Sequence, residues 1–128
     1  PWEDQYIENE TRAYQWICGH GIGPRFLGHL SEHGRVMGFL MERIAGARHA
    51  GTQDIEACTE ALSRLHDLRI RHGDVNRFNF LVRDSTAILI DFDTAQKCDD
   101  PELLLQEFKS LATRLEDPSR RGGGGLLL

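Results

Sequence analysis

Apolar residues follow two different periods along this chain. Three segments place them at the three- and four-residue spacing of an amphipathic helix: residues 5–18, residues 53–68, and a stretch that opens at Asp100-Pro101. Thr52 is the expected N-cap of the second helix, because a threonine hydroxyl can accept from the free amides of a first turn. The apolar positions predicted to face the core are Ile7, Tyr14, Ile17, Ile55, Cys58, Leu62, Leu65, Leu104, Phe108, Leu111 and Leu115.

Between these helices lie two pairs of short apolar runs, which predict two β-hairpins. The first pair is residues 26–30 and 36–41, with a four-residue connection. The second pair is residues 79–83 and 86–91, joined by two residues. Antiparallel strand pairs separated by helices favour an α+β fold over a doubly wound parallel sheet.

Composition and charge narrow the class of protein. A chain of 128 residues that is 40% hydrophobic and 27% charged is typical of one soluble globular domain. The net charge of −5 argues against nucleic acid or an anionic membrane as a partner, since both attract clustered lysine and arginine. Three widely spaced cysteines without a C-x-x-C motif indicate reduced thiols. With no signal peptide and no apolar run of membrane-spanning length, we expect a cytoplasmic location.

The most specific chemical pattern lies around the second hairpin. H-G-D ends at Asp74, Asn79 begins the first strand, and D-F-D begins at Asp91 where the second strand ends. Folding of the hairpin brings Asn79 and Asp91 to the same end. Their oxygen atoms suit Mg²⁺, and Asp74 would orient an acceptor hydroxyl and accept its proton late. The set Asp74, Asn79 and Asp91 therefore predicts catalysis of magnesium-dependent phosphoryl transfer.

Simpler interpretations compete with this one. Any one of these polar residues, taken alone, would be read as a turn former or a cap. The six histidines form no zinc-ligand spacing, so they are expected to be structural. G-H-G-I-G at residues 19–23 follows a helix and precedes Pro24, which indicates a helix terminator instead of a phosphate-binding loop. Glu42 alone would be a solvated charge at a strand end.

Taken together, H-G-D, Asn79 and D-F-D resemble the catalytic loop and metal-binding motif of the protein-kinase-like superfamily. The H-G-D form is similar to the aminoglycoside phosphotransferase and choline kinase branch, and the whole pattern to small kinase-like proteins of fungi. E-T-R-A-Y at residues 10–14 resembles the helix that carries the glutamate partner of the ATP-binding lysine. The likeness extends over about residues 8–95.

The resemblance implies a role for each matching residue. Asp74 would be the catalytic aspartate, and the metal ligands would be Asn79, Asp91 and Asp93. Glu10 would pair with the phosphate-binding lysine. The residues implied to contact adenine, at the hinge or on the pocket floor, are Met41, Glu42, Ile44, Leu81 and Ile90. ATP and Mg²⁺ are the implied cofactors, and a hydroxyl-bearing compound is the implied acceptor.

The same resemblance exposes a departure, because no lysine and no glycine-rich strand pair precede Glu10 in this sequence. We therefore expect a truncated kinase-like domain over residues 1–118. Within it, residues 1–44 would be a remnant of the small lobe and hinge, and residues 45–118 a minimal large lobe. The glycine-rich tail, residues 119–128, is expected to be flexible.

Three functions remain open from the sequence. The first is transfer of the γ-phosphate of ATP to a hydroxyl of a small molecule or of a protein serine or threonine. The second is a non-catalytic module that binds nucleotide or protein, with a protein partner covering the apolar edges of the first hairpin. The third is a metal-dependent hydrolase that uses the same carboxylates.

Overall fold

A computed structural model describes residues 2–42 and 44–118, with side chains described for residues 8–36, 41–42 and 44–118. Four helices and seven short strands alternate in this part of the chain. The helices are α1 (Trp2–Ile17), α2 (Ile55–Asp67), α3 (Pro101–Lys109) and α4 (Leu111–Glu116). The strands are β1 (Phe26–Glu32), β2 (Arg35–Met41), β3 (Arg48–His49), β4 (Ile70–Arg71), β5 (Phe80–Arg83), β6 (Thr86–Leu89) and β7 (Gln96–Lys97). This mixture of helices and small antiparallel sheets confirms the predicted α+β class.

The strands form three small antiparallel sheets. β1 pairs with β2, β5 pairs with both β3 and β6, and β4 pairs with β7. Both predicted hairpins are present. The first has a tighter turn than the four residues expected: strands extend to Glu32 and from Arg35, and His33 and Gly34 turn the chain with φ of 53° and 78°. Two successive residues with positive φ match the twist of a two-residue hairpin.

One apolar cluster connects the first helix to the last. Helix α2 buries Cys58, Ala61, Leu62 and Leu65 against the β5–β6 sheet, as its predicted apolar face required. Helix α1 is joined to the same cluster through the segment that follows it, because the amide of Leu89 donates to the carbonyl of Ile22 at 2.7 Å. Helix α1 and the second hairpin therefore share one core.

Two helix predictions were wrong in detail. Thr52 does not cap α2; it lies in a short 3-10 turn, Thr52–Asp54, and α2 begins after it. The carboxylate of Asp54 instead binds the guanidinium of Arg48 and accepts from the amide of Gly51. The last helical stretch is two helices, because the chain bends at Ser110, whose hydroxyl donates to the carbonyl of Glu107 at 2.7 Å.

Other segments were missed or cannot be compared. The sequence analysis did not predict β3, β4 or β7, which have two residues each and no period to detect. Arg43 and the tail at residues 119–128 lie outside the described residues. The division into residues 1–44 and 45–118 stays a prediction. No helix in the described part is long and apolar enough to cross a membrane.

Candidate active site

A buried histidine holds the loop that carries Asp74. His72 has no exposed surface. Its Nδ1 accepts from the backbone amide of Asp74 (3.2 Å), and its Nε2 lies 2.9 Å from the carbonyl oxygen of Ile90. Nδ1 acts as the acceptor of the first bond, and Nε2 is placed to donate in the second. His72 therefore links the loop before β5 to the chain that follows β6 and leads into Asp91.

Gly73 allows the same loop to pass close to the D-F-D segment. Its φ is +90°, and a β-carbon at this position would lie 2.8 Å from the backbone oxygen of Thr94. The hydroxyl of Thr94 also donates to the carbonyl of His72 at 3.1 Å. Only glycine combines this backbone angle with so close an approach.

A glutamate from α3 receives the backbone amides of the loop. Glu107 is buried, and its carboxylate accepts from the amides of His72 (3.0 Å) and Gly73 (2.7 Å) and lies 2.7 Å from Nε2 of His66. Burial alone would raise the pKa of Glu107, but these hydrogen bonds outweigh it and hold the pKa below its ordinary value. A charged carboxylate thus fixes the backbone immediately before Asp74.

Two asparagines hold Asp74 itself. The side-chain amide of Asn79 donates to the carbonyl (2.8 Å) and carboxylate (3.3 Å) of Asp74. The side-chain amide of Asn76 donates to the same two groups, at 3.2 and 3.3 Å, while its oxygen accepts from the amide of Phe78. All three side chains are buried. The Asn79 amide group is the one that faces Asp74, so its oxygen is turned away from that carboxylate.

The hairpin brings Asn79 next to Asp91, as its register requires. The amide of Ile90 donates to the carbonyl of Asn79 at 2.9 Å. Asp91 follows with φ of 63°, a left-handed angle that turns the chain sharply out of the strand. Phe92 is then fully buried, with its ring 5.1 Å from those of both Tyr14 and His72. The D-F-D segment therefore packs between α1 and the loop that carries Asp74.

Surplus negative charge gathers around this segment. Desolvation by the surrounding protein, a hydrogen bond with Asp93 and the charges of Asp93 and Asp74 raise the pKa of Asp91 to about 7. Burial raises the pKa of Glu10 to about 7 as well, with help from the charges of Asp91 and Asp93. The Glu10 carboxylate accepts from the amide of Phe92 at 3.2 Å. Among the described residues, no cationic side chain forms an ion pair with Glu10, Asp91 or Asp93.

The residues implied to contact adenine divide into two groups. Glu42, Ile44 and Leu81 line one cavity of about 380 Å³, together with Gly21, Gly23 and Ile88. Ile90 lies two residues beyond Ile88 and shares its side of the hairpin by strand alternation. Met41 packs against the core from the end of β2. The amide of Glu42 donates to the carbonyl of Arg25 and its side chain accepts from the Arg25 amide, so Glu42 is not simply solvated.

The arrangement agrees with what known proteins indicate. The model of the lipopolysaccharide kinase (Kdo/WaaP) family matches residues 40–117, more than half of the chain. The chain belongs to the lipopolysaccharide kinase (Kdo/WaaP) family. The matched residues include Asp74, Asn79, Asp91 and Glu107, while Glu10 precedes them. Membership confirms the predicted protein-kinase-like superfamily.

Two curated proteins are similar to this family member over part of its length. Each is named a probable bifunctional tRNA threonylcarbamoyladenosine biosynthesis protein. The protein from Methanothermobacter thermautotrophicus is 31% identical over 97 residues, which are 73% of this chain and 18% of that protein. The protein from Methanoculleus marisnigri is 38% identical over 66 residues, which are 49% of this chain and 12% of that protein. The chain thus spans less than a fifth of these relatives.

A solved structure supports the fold. The Cydia pomonella granulovirus kinase, PK-1, superimposes with a TM-score of 0.55 at 14% identity, over 73% of this chain and 42% of that one. This likeness confirms a partial protein-kinase-like fold. The predicted aminoglycoside phosphotransferase and choline kinase branch, and the likeness to fungal proteins, stay predictions.

The donor set of this kinase-family chain fits a hard divalent cation. The Asn79 side-chain oxygen and the carboxylates of Asp91 and Asp93 are the ligand types that Mg²⁺ accepts while it keeps several waters. Burial contributes most to the raised pKa of Asp91, and the negative charges of Asp93 and Asp74 add to it; a cation would offset that charge. No three histidine, cysteine, aspartate or glutamate side chains in the described part already converge on one point. Phosphate oxygens and water would therefore complete the coordination.

Sequence reasoning missed two residues of the site. Asn76 lies two positions after Asp74, but an asparagine in a turn carries no distinct signal. Glu107 lies 33 positions after Asp74 on a helix, and only the fold brings it under the loop. A glutamate on the inward-facing side of α3, between Leu104 and Leu111, was the available sign, because charges seldom occupy such positions unpaired.

Proposed function

We propose that this chain carries the acceptor-side and metal-side residues of an ATP- and Mg²⁺-dependent phosphotransferase. It would transfer the γ-phosphate of ATP to a hydroxyl of a small molecule or of a protein serine or threonine. The observation that carries the proposal is the connection of three residues through Asn79. Its side-chain amide donates to the carbonyl of Asp74, and its backbone carbonyl accepts from the amide of Ile90, the residue before Asp91.

In this proposal Asp74 orients the acceptor hydroxyl and accepts its proton late. An unperturbed aspartate has a pKa of about 3.9, so positioning would contribute more than basicity. The amides of Asn76 and Asn79 fix the carboxylate in one orientation before the acceptor arrives. Pre-organisation of this kind removes reorganisation from the reaction step.

On the nucleotide side, Asn79, Asp91 and Asp93 would hold Mg²⁺. The metal supplies charge neutralisation on the phosphates when bound. Adenine would enter the cavity beside Leu81, with Ile90 continuing the same floor toward Asp91. In the described contacts the amide of Glu42 donates to Arg25 and the carbonyl of Ile44 accepts from Ala47. The carbonyl of Glu42 and the amide of Ile44 would then hydrogen-bond the base.

A second candidate rests on Glu10. This carboxylate accepts from a backbone amide and pairs with no cation among the described residues, whereas the resemblance implies a lysine partner. A module of this kind would bind nucleotide or a protein partner without phosphoryl transfer. The curated relatives are named for tRNA threonylcarbamoyladenosine biosynthesis, which offers a setting for such a partner. The net charge of −5 disfavours direct contact with tRNA.

Calorimetric titration with ATP tests the proposal. Wild type should bind ATP only with Mg²⁺, and Asp91→Asn should lose that dependence. Asp99→Asn, at an exposed aspartate two residues after β7, is the matched control and should bind as wild type does. Asp74→Asn should lower turnover far more than nucleotide affinity. Absence of binding up to millimolar ATP would reject the catalytic function of this chain, and binding without turnover would favour the second candidate.

A further inference from the structure

One arginine beside the loop that carries Asp74 has a buried side-chain N–H group without a hydrogen-bond acceptor among the described residues. Arg71 ends β4 and immediately precedes His72. Its Nε is buried and has no hydrogen-bond partner in the described part of the chain. Native proteins rarely leave a buried N–H group unsatisfied, and an ion or ligand that is not present is one of the recognised explanations.

A second arginine, on α4, faces the same cavity. Arg71 and Arg114 both line it, and neither forms an ion pair with the described carboxylates. Two other arginines do form such pairs: Arg48 binds Asp54, and Arg64 binds Glu60. Acidic residues outnumber basic ones by 20 to 15 in this chain, yet two guanidinium groups without an ion pair to a described carboxylate share this one cavity.

The cavity adjoins the catalytic aspartate. Gly73 and Val75, the residues on either side of Asp74, form part of its wall. Its volume is about 130 Å³, below the range of roughly 300–1,000 Å³ that accommodates a whole small molecule. The cavity therefore suits one small group, and two guanidinium forks select an oxyanion such as phosphate or carboxylate.

Glu107 also lines this cavity, and its charge opposes an anion. Its carboxylate oxygens are already occupied by the amides of His72 and Gly73 and by the ring of His66. Two arginines against one satisfied carboxylate leave the cavity with a positive balance. An oxyanion would also give the Arg71 Nε the acceptor that the protein does not provide.

We propose that Arg71 and Arg114 form an oxyanion-binding site beside the catalytic loop, for a phosphate or carboxylate group. The group would belong to the acceptor, which it would anchor near Asp74, or to a free anion that regulates the loop. The acceptor assignment rests on the proposed phosphotransferase function, whereas the site itself does not.

Titration with inorganic phosphate, without nucleotide, tests the site. Wild type should show saturable shifts of the Gly73 and Val75 amides in ¹⁵N–¹H spectra. Arg71→Gln and Arg114→Gln should each weaken binding about tenfold or more, since each removes one charge-assisted partner. Arg71→Lys keeps the charge but loses the Nε donor, and should also bind more weakly.

Arg69→Gln is the matched control. Arg69 is exposed, and the substitution removes the same charge two residues before Arg71. It should bind phosphate as wild type does. Equal weakening in Arg69→Gln would show attraction by net charge alone and would overturn the site. Phosphate binding that neither cavity variant alters would overturn it as well. Spectra of each variant without ligand establish that it folds, and Arg114→Gln keeps the test decisive if Arg71→Gln unfolds.

A second experiment separates the two sources of the oxyanion. Glycerol 3-phosphate and glycerol are compared as acceptors and as competitors of phosphate. The site is assigned to the acceptor if glycerol 3-phosphate, but not glycerol, competes with phosphate and is phosphorylated. Both effects should then be lost in Arg114→Gln. Phosphate binding without competition assigns it to a free anion. Arginine-dependent phosphate binding without ATP binding would retain the site and reject the phosphotransferase, and the converse result would reject the site alone.

Discussion

The buried Glu107 and the half-buried Glu10 both flank the candidate active site, and they differ in how the surrounding groups stabilise their charge. For Glu107, burial would raise the pKa, but hydrogen bonds from His66, Gly73 and His72 hold it below the ordinary value. For Glu10, burial and the nearby aspartates raise the pKa to about 7, and only the Phe92 amide opposes that rise. The first carboxylate is charged and satisfied, and the second resists ionisation.

This difference distinguishes the part of the site whose charged groups are already stabilised within the chain from the part whose carboxylates still need a cation. The side proposed above to face the acceptor is complete, because Asp74 has its donor in Asn79 and the two backbone amides before it have their acceptor in Glu107. The side proposed to face the nucleotide carries Glu10, Asp91 and Asp93 without a cationic partner in the described part. We infer that cations must come from outside, as Mg²⁺ or as a basic group of another segment or chain.

The largest expected effect comes from removing the satisfied glutamate. Glu107→Ala would leave two buried amides and His66 without their acceptor, and should lower the free energy of unfolding by about 3 kcal/mol or more. Urea denaturation measures this loss. Glu116→Ala, at an exposed position of α4, is the control and should change it by less than about 0.5 kcal/mol. A loss below about 1 kcal/mol in Glu107→Ala would mean that the loop does not depend on this carboxylate.

A smaller loss should follow from crowding the loop that Glu107 holds. Gly73→Ala places a β-carbon 2.8 Å from the Thr94 carbonyl oxygen, at a φ of +90°. Gly46→Ala is a matched control, because Gly46 has a φ of +75° and nothing within 4 Å of the new carbon. The left-handed backbone should lower the free energy of unfolding of both variants by about 1 kcal/mol. The close contact should bring the total loss in Gly73→Ala to about 2 kcal/mol. Thermal unfolding compares them, and equal losses would show that the close approach is relaxed.

The sequence predicted the elements with a long period and missed those without one. Helix α2 and both hairpins follow from apolar spacing, which reports the face that must be buried. Thr52 was mistaken for a cap because capping depends on where the backbone enters the helix, and the pairing of Asp54 with Arg48 shifts that point. The two-residue strands β4 and β7 exist only because D-F-D folds back beside the catalytic loop.

The candidate site divides along the same line. Asn79 and Asp91 flank one hairpin and Asp74 lies in the loop just before it, so local geometry was enough to bring the three together. Glu107 reaches the loop from a distant helix, and no spacing in the sequence encodes that contact. The motif around Glu10 predicts an ion pair with a lysine. No cationic side chain among the described residues pairs with Glu10, so the motif alone could not predict its raised pKa.

An effect of intermediate size is expected for the pH dependence of Mg²⁺ binding at Asp91. The pKa of Asp91 is raised to about 7, so Mg²⁺ must displace a proton from this carboxyl at lower pH. The apparent affinity for Mg²⁺ should therefore fall about tenfold from pH 8 to pH 6, about 1.4 kcal/mol. The Phe92 amide shift reports binding without nucleotide, because ATP phosphates titrate in the same range. In Asp91→Asn the pH dependence should disappear; its persistence would assign the proton to another group.

The smallest expected effect concerns Glu10. Its pKa lies at about 7 in the folded protein and 4.5 in the unfolded chain, so between these values the folded state binds more protons. The free energy of unfolding should then fall as pH rises from about 4.5 to about 7. Glu10→Gln keeps an acceptor for the Phe92 amide but removes this charge. It should flatten that part of the profile and stabilise the protein at pH 8 by about 1 kcal/mol, less than full linkage because solvent screens a partly exposed side chain. Glu8→Gln, on the exposed face of α1, should leave the profile unchanged. Destabilisation by Glu10→Gln at pH 8 would show that the charge is already compensated, and that the nucleotide side of the site is as complete as the acceptor side.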